Sequence, residues 1–347
     1  MDAESEVPLC SIEEQLKPGI ICNLKHHNEE TGAALDDEAE FDDPKTVLAI
    51  RGALLKHGAE AVIIEADEHL EKAIKDSGIN FAFNIAEGKN GRSREAQVPA
   101  MLELLGIPYT GSDPTAMGIS LDKTMCKMLV SAYGVRTAPH VLVRPQDHGK
   151  LLSIDFPVIV KPNCEGSGKG ISENCIAENE AELEQLLERN FTIYSSEMLV
   201  ESYLPGREFT VGMLGNGREL RVLDPMEIVF NGNTQRNYKV YSYDVKCNYQ
   251  KHVTYECPAK LTAEESAEMK AAAEMVFEAL GCRDVARADF RMDAEGHPCF
   301  LEINPLPGLA PGYSDLPMIA EADGISYDDL VWTIYETACR RLFGMQK

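Results

Sequence analysis

Apolar positions in the first third of the chain alternate between two periods. Positions 47, 48, 50, 54 and 55 are apolar and fall on one stripe of a helix, because 3.6 residues per turn returns them to one side. Pro44 suits a first helical turn and Gly58 an end, which predicts a helix over 44–57. Short apolar runs at 19–24, 61–65 and 81–85 have strand length, and a second helical stretch at 67–77 separates the last two. Strand, helix, strand, helix, strand predicts a parallel sheet flanked by helices. Residues 87–94 read as a loop, 93–105 as a helix closed by Gly106, and 107–112 as a last short strand and turn. Residues 113–132 read as one amphipathic helix closed by Gly134.

From Pro139 the pattern becomes strand-rich. Strands are expected at 156–162, 198–203, 208–214 and near 220–230, with helices at 181–190, 263–280 and 327–342. A glycine-rich loop covers 165–170 and a longer loop 231–252. Residues 287–307 then read as two strands joined by the Asp-Ala-Glu-Gly turn at 293–296. Side chains two apart on a strand share a face, so Arg287 sides with Asp289 and Glu302 with Asn304. If the strands pair, one face carries two carboxylates, a carboxamide and a guanidinium. Hard oxygen ligands with no Cys or His suit Mg²⁺, which binds through one or two carboxylates plus substrate phosphates.

Charge narrows the partners. The 347 residues carry a formal net charge of −24, which argues against nucleic acid or an anionic membrane. No apolar run reaches membrane-spanning length, and the acidic start lacks a signal pattern, so a cytoplasmic protein is expected. The ten cysteines are scattered without Cys-x-x-Cys spacing, which favours reduced thiols filling the core. The length implies two or three domains.

Lys161 ends a strand and precedes the glycine-rich loop, where backbone amides can turn toward a phosphate. The loop lacks the Gly-Lys-Ser/Thr of a Walker A motif. Lys123 lies in a helix, and Glu208 follows an apolar strand whose end can offer main-chain groups to a purine. The order is helix lysine, strand lysine with glycine loop, apolar strand with Glu, then Arg-x-Asp and Glu-x-Asn.

That order resembles the ATP-grasp superfamily and, within it, the D-alanine–D-alanine ligase family. The resemblance runs from about residue 44 to the C-terminus. It is carried by Gly106-Ile-Pro-Tyr-Thr-Gly-Ser112, Asp122-Lys123, Val160-Lys161-Pro162, Gly206-Arg-Glu-Phe-Thr-Val211 and Leu301-Glu-Ile-Asn304, with Pro307-Gly308 behind it. It implies an α/β (α+β ATP-grasp) protein with an N-terminal parallel-sheet substrate domain at 1–112. A central lid domain at 113–205 and a catalytic domain at 206–347 would clamp ATP between them. Lys123 and Lys161 would contact phosphates, and Ser202 and Leu204 would offer main-chain groups to adenine. Glu201 would lie nearby and Glu208 on the ribose. Asp289, Glu302 and Asn304 would hold two Mg²⁺ ions, or Mn²⁺ in their place. Lys246 would reach the transferring phosphate, Arg287 and the Gly308 amide would stabilise the tetrahedral intermediate, and Ser167 matches a family serine in the glycine loop.

The implied activity is ATP-dependent coupling of two amino acids through an acyl phosphate, with residues 231–252 as the closing loop. Family members are commonly dimers, so a homodimer is the assembly suggested. Three departures fall on the substrate side. The family's Gly-Gly-x-Ser-x-Glu after the first strand, whose glutamate receives an ammonium, is replaced by Asn23-Leu-Lys-His-His-Asn-Glu29. Cys247 stands where an aromatic residue helps select substrates, with Tyr249 two residues on. The segment from Gly308 to Pro317 is one residue longer, leaving Tyr313 or Ser314 to bind a carboxylate. Apart from these, Gly168 replaces a second serine in the glycine loop. These changes leave acyl activation intact and keep open a ligase making a different dipeptide or depsipeptide. A non-catalytic nucleotide-binding protein is disfavoured, since the lysines, metal ligands and arginine are all present. His26 and His27 read as solvated loop residues.

Overall fold

The computed structural model describes residues 16–26, 40–147, 153–165, 175–194, 196–232, 238–241, 245 and 249–344. Its N-terminal sheet is parallel. Strand β1 (Pro18–Cys22) lies between β2 (Val62–Glu65) and β3 (Phe81–Asn84). Helix α1 (Pro44–Lys56) starts where the Asp43 carboxylate accepts from the Lys45 amide at 2.8 Å, a side-chain cap with proline in the first turn. Helices α2 (Leu70–Ser77) and α3 (Gln97–Leu105) end at the left-handed Gly78 and Gly106. The expected β-α-β-α-β order is therefore observed. The strand expected at 107–112 is reduced to a single bridge between Ala82 and Tyr109.

The helix expected over 113–132 is two helices, α4 (Pro114–Leu121) and α5 (Lys123–Ala132). Asp122 breaks it with extended backbone (φ −82°, ψ 95°), its carboxylate accepting from the Met125 amide. A short acidic side chain competes with the helix by capping the next one. The break puts Lys123 in a first turn.

A four-stranded antiparallel sheet follows. It contains β4 (His140–Val143), β5 (Val158–Pro162), β6 (Ile176–Ala177) and β7 (Met198–Ser202) in the order β4-β7-β5-β6, with α6 (Glu180–Tyr194) before β7. The last sheet holds β8 (Glu208–Leu214), β9 (Arg221–Val222), β10 (Met226–Phe230), β11 (Val253–Glu256), β12 (Val285–Met292) and β13 (Pro298–Asn304). Its order is β11-β10-β8-β12-β13, with β9 beside β8 and every pairing antiparallel. The short helix α7 (Tyr249–His252) precedes β11, and α8 (Ala263–Leu280) follows it. A Thr262–Glu265 capping box starts α8 and left-handed Gly281 ends it.

Helix α9 (Asp315–Ala322) was not expected, because Pro311, Gly312 and Pro317 break up its pattern. Pro317 is tolerated there, in the first turn where its missing N–H has no helical partner. Helix α10 (Tyr327–Phe343) closes the described chain.

The core is shared between the ends of the sequence. Ile20, Phe81 and Phe83 pack with Ile50 and Leu54 of α1 and with Leu316, Ile319, Leu330 and Tyr335 of the C-terminal helices. Asp284 fixes the same junction. Fully buried and at positive φ (67°), it accepts from Arg341, from the Gly111 amide and from Asn216 at 2.7–2.9 Å. Of the eight described cysteines six are buried, as core fillers should be. Among the described residues no helix is long and apolar enough to cross a membrane.

Candidate active site

Parity along the β12–β13 hairpin decides which side chains face the cleft. On β12, Ala286, Ala288, Phe290 and Met292 enter the core, so Arg287, Asp289 and Arg291 point the other way. On β13 both Phe300 and Ile303 are core residues, which regular alternation forbids across an odd separation. A bulge resolves this. Asp289 pairs with Glu302, but the next partner of Phe290 is Phe300, leaving Leu301 as the extra residue. Leu301 and Glu302 then both line the cleft. The expectation that Arg287, Asp289, Glu302 and Asn304 share a face is borne out, with Arg287 opposite Asn304. Bulges recur beside active sites because they re-aim side chains in this way.

The lysines reach this face through one asparagine. Asn163, just past β5, accepts through its side-chain oxygen from the amide and hydroxyl of Thr124 at 3.0 and 2.7 Å. It donates to Asp122 at 2.8 Å, and its carbonyl accepts from the Lys123 amide at 3.1 Å. That clamp ties the end of β5, which carries Lys161, to the start of α5, which carries Lys123. Lys123 Nζ lies 3.3 Å from Glu302 Oε2 and donates to the Glu165 carbonyl at 2.5 Å. Lys161 Nζ lies 2.5 Å from Glu201 Oε1.

Glu201 is held by a second cation that the sequence reading missed. Lys127, fully buried, lies 3.1 Å from Glu201 Oε2 and donates to the Phe300 carbonyl beside the bulge at 3.0 Å. Burial alone would raise the Glu201 pKa, but Lys127 and Lys161 overcome it and hold the carboxyl down at about 2. Glu201 thus anchors two lysines as a fixed anion. A lysine four residues after Lys123 lies on the same helical face, and that spacing was the available signal.

Ile159, Lys161, Glu201, Ser202, Leu204, Glu208, Ile228, Asp289 and Glu302 line one cleft between the second and third sheets. Apolar Ile159, Leu204 and Ile228 beside charged Lys161, Glu208, Asp289 and Glu302 suit a purine nucleotide. The Ser202 amide already donates to Pro139 and its hydroxyl to Asp155. Glu208 is held by Arg291 at 3.1 Å, and Arg291 also donates to the Tyr203 hydroxyl at 2.7 Å and lies over its ring.

Asp289 receives both ends of the Arg287 guanidinium at 2.8 and 3.0 Å and the Asn304 amide at 3.5 Å. Its pKa is nonetheless raised, first by burial and then by Glu302 across the strand pair, against the pull of Arg287. Burial is the larger cause, because Arg287 and Lys123 already meet the two carboxylates. Among the described residues no group of three His, Cys, Asp or Glu side chains gathers at ligating distance. Two carboxylates and a carboxamide still fit Mg²⁺ when phosphate oxygens complete the shell.

Arg287 also meets Asp315 at 3.1 Å, and a glycine explains why. Register pairs Gly212 of β8 with Arg287, and a Cβ at Gly212 would lie 2.7 Å from Leu316 of α9. The bare backbone lets α9 settle against β8, which brings its first residue beside Arg287. The sequence carried no sign of Asp315.

A second cavity of about 320 Å³ adjoins the cleft. It is lined by Arg287, Glu302, Asn304, Gly308, Tyr313 and Ser314 and by Lys25, Glu40, Asp42, Glu87 and Glu95. Gly308 lies against Ser314, where a Cβ would come within 2.8 Å of the hydroxyl. Ser314 accepts from the Ala310 amide at 3.1 Å, and Tyr313 is half exposed. Glu302, Tyr241 and Asp315 line both the cavity and the cleft. His26 is exposed and sits 3.2 Å from Glu65, in keeping with a solvated loop residue. Ser167, Gly168, Lys246, Cys247 and His27, with most of the glycine-rich loop and part of 231–252, lie outside the described residues.

Comparison with known proteins points to one family. The family model described as "D-ala D-ala ligase C-terminus" matches residues 129–336, more than half of the chain. A protein from Bordetella pertussis named D-alanine–D-alanine ligase is 35% identical over 295 residues, covering 84% of this chain and 89% of that one. One of the same name from Bartonella henselae is 33% identical over 282 residues, covering 80% and 87%. The crystal structure of D-alanine–D-alanine ligase from Bacillus anthracis complexed with ATP superposes with a TM-score of 0.70 at 26% identity, covering 95% of this chain and 99% of that one.

Proposed function

The chain belongs to the D-alanine–D-alanine ligase family of ATP-grasp carboxylate–amine ligases, and from that premise we propose that it activates one amino acid with ATP as an acyl phosphate and joins it to a second. D-alanine, the substrate in the relatives' names, is the first pair to test. The observation that carries the reading is the meeting of two cavities at Glu302. One has the shape and lining for a nucleotide, the other the size and polarity for amino acids.

In this reading the adenine lies against Ile159, Leu204 and Ile228, with main-chain groups at Ser202 and Leu204 beside Glu201 and with Glu208 toward the ribose. Lys123 and Lys161 draw the phosphates toward Glu302. When bound, Mg²⁺ at Asp289, Glu302 and Asn304 neutralises charge on the phosphates, and two ions are expected by resemblance. The γ-phosphoryl group passes to a substrate carboxylate, since a carboxylate itself is a poor electrophile. The amine of the second amino acid then attacks the acyl carbon. Arg287 and the Gly308 amide face that carbon's oxygen, where preorganised donors each contribute a few kcal/mol to the transition state. Arg287 is held for this by Asp289 and Asp315 on either side. Lys246, Ser167 and the 231–252 segment keep the roles that the resemblance implies: contact with the transferring phosphate, the glycine loop, and closure that keeps water from the acyl phosphate. Three separate sheets support domains at 1–112, 113–205 and 206–347. Homodimerisation remains part of the reading by resemblance.

The test is phosphate release from ATP in the presence of Mg²⁺ and pairs of amino acids. Release with D-alanine alone supports D-alanine–D-alanine coupling. Release that needs two unlike substrates supports a different dipeptide or a depsipeptide. No release with any pair refutes the ligase reading.

A further inference from the structure

The family's Gly-Gly-x-Ser-x-Glu motif is not kept after β1, and Asn23 opens the segment that replaces it. Asn23, the first residue past β1, is buried and donates to the Ala66 carbonyl at 2.8 Å. Its side-chain oxygen accepts from the Gly88 amide at 2.9 Å, and its carbonyl accepts from the Asp42 amide at 2.9 Å. Asn23 therefore works as a bracket, holding the Asp42 and Gly88 segments beside the cavity. Gly88 is at φ 75°, and a Cβ there would lie 2.1 Å from the Arg94 carbonyl. Only glycine permits that approach, and the approach brings Glu87 alongside Glu95.

Both carboxylates line the cavity, and Glu95 is only 9% exposed. Neither has a hydrogen bond or ion pair to a described residue. The obvious partner is already taken. Arg94 is held by Glu40 through both carboxylate oxygens at 2.7–3.1 Å and donates to the Cys164 carbonyl at 2.8 Å. Lys123 is engaged by Glu302 and the Glu165 carbonyl. Burial raises the pKa of both glutamates, with Glu95 the strongest neighbouring charge on Glu87. Buried acids without a cation are costly, and function is the usual reason they persist. Among the described residues no three His, Cys, Asp or Glu side chains meet here at ligating distance. Arg287 and Lys123 line the same cavity, so it offers both signs of charge that a zwitterion needs.

We infer that Glu87 and Glu95 form the seat for an organic ammonium group carried by the amino-acid substrate. Calling the occupant an amino acid rests on the ligase reading above. The ammonium is either the α-ammonium or one on a side chain, and two matched pairs of probes distinguish them. D-alanine against propionate isolates the first, and D-ornithine against D-norvaline isolates the second, with both enantiomers of each amino acid tested.

Calorimetric binding of these probes to the full chain with ADP and Mg²⁺ provides the test. The expected result is a preference of about tenfold or more for the ammonium-bearing member of at least one pair, as a buried charge contact gives. Glu95→Gln and Glu87→Gln should each reduce that preference to about threefold or less, with ADP affinity and circular dichroism unchanged, and Glu95→Asp should restore part of it. The seat is overturned if neither pair shows a preference, if no probe binds the wild type, or if both glutamine variants keep the full preference. Phosphate release measured in parallel judges the ligase reading separately. Binding with the expected preference but no phosphate release would refute that reading and leave the seat standing.

Discussion

Lys123 Nζ lies 3.3 Å from Glu302 Oε2, so the first residue of α5 touches the bulged edge of β13. The contact joins a phosphate-binding candidate to a metal-binding candidate across two separate segments of the fold. Glu302→Gln keeps the shape and removes the charge. It should lower turnover by about 100-fold or more, the scale expected when several kcal/mol of charge stabilisation are lost. ATP affinity should change only severalfold. Steady-state kinetics with a nucleotide-binding titration checks this, and normal ligation by the variant would remove Glu302 from the metal site.

Glu201 is an anion locked between Lys127 and Lys161. Its pKa falls from 4.5 in the unfolded chain to about 2 in the folded one. Stability from this group is therefore present above pH 4.5 and lost as pH falls from 4.5 toward 2. Glu201→Gln should flatten that acid limb in urea titrations at several pH values. Lys127→Met strips one cation from a buried pair and should cost about 3 kcal/mol or more at pH 7.

Glu95 carries the opposite sign. Its pKa rises from 4.5 to about 7 on folding, first because burial disfavours the charge, with Glu40 offsetting part of the pull of Arg94. The folded chain keeps its proton longer than the unfolded one, so ligand-free stability falls as pH rises from 4.5 to 7. Glu95→Gln should leave the melting temperature nearly unchanged at pH 4.5. At pH 8 it should raise stability by about 1–3 kcal/mol. Thermal melts at the two pH values decide it, and an equal shift at both would contradict the assignment.

Gly212 is the point where α9 leans on β8. Gly212→Ala places a methyl group 2.7 Å from Leu316 Cδ1 and should destabilise the fold by about 1–3 kcal/mol through overpacking. It should also loosen Asp315 from Arg287 and lower turnover more than ATP binding. Denaturant unfolding and kinetics on the same variant separate the two effects.

Much of this was legible in the chain because the signals were local. The capping box at Thr262, the stop at Gly281 and the Asp-Ala-Glu-Gly turn fix α8 and the hairpin without long-range help. Strand parity gave the shared face of Arg287, Asp289, Glu302 and Asn304. The bulge at Leu301 needed the knowledge that Phe300 and Ile303 share one core, which depends on tertiary packing. Asp122 hid the break between α4 and α5, since the apolar pattern continues through it. Lys127 had its spacing from Lys123 as a signal, whereas Asp315, Glu87 and Glu95 were missed for a common reason. Each is charged in a segment that reads as solvated, and only contacts from distant parts of the chain bury it.

The central claim is that one cleft activates a carboxylate with ATP and the adjoining cavity supplies it. The most direct measurement is phosphate release with mass-spectrometric product detection, using the full chain, ATP, Mg²⁺ and a mixed pool of D- and L-amino acids. The account predicts one phosphate and one ADP per condensation product, with the product lighter than its two substrates by one water. Phosphate release without any condensation product, or no release across the whole pool, would contradict it.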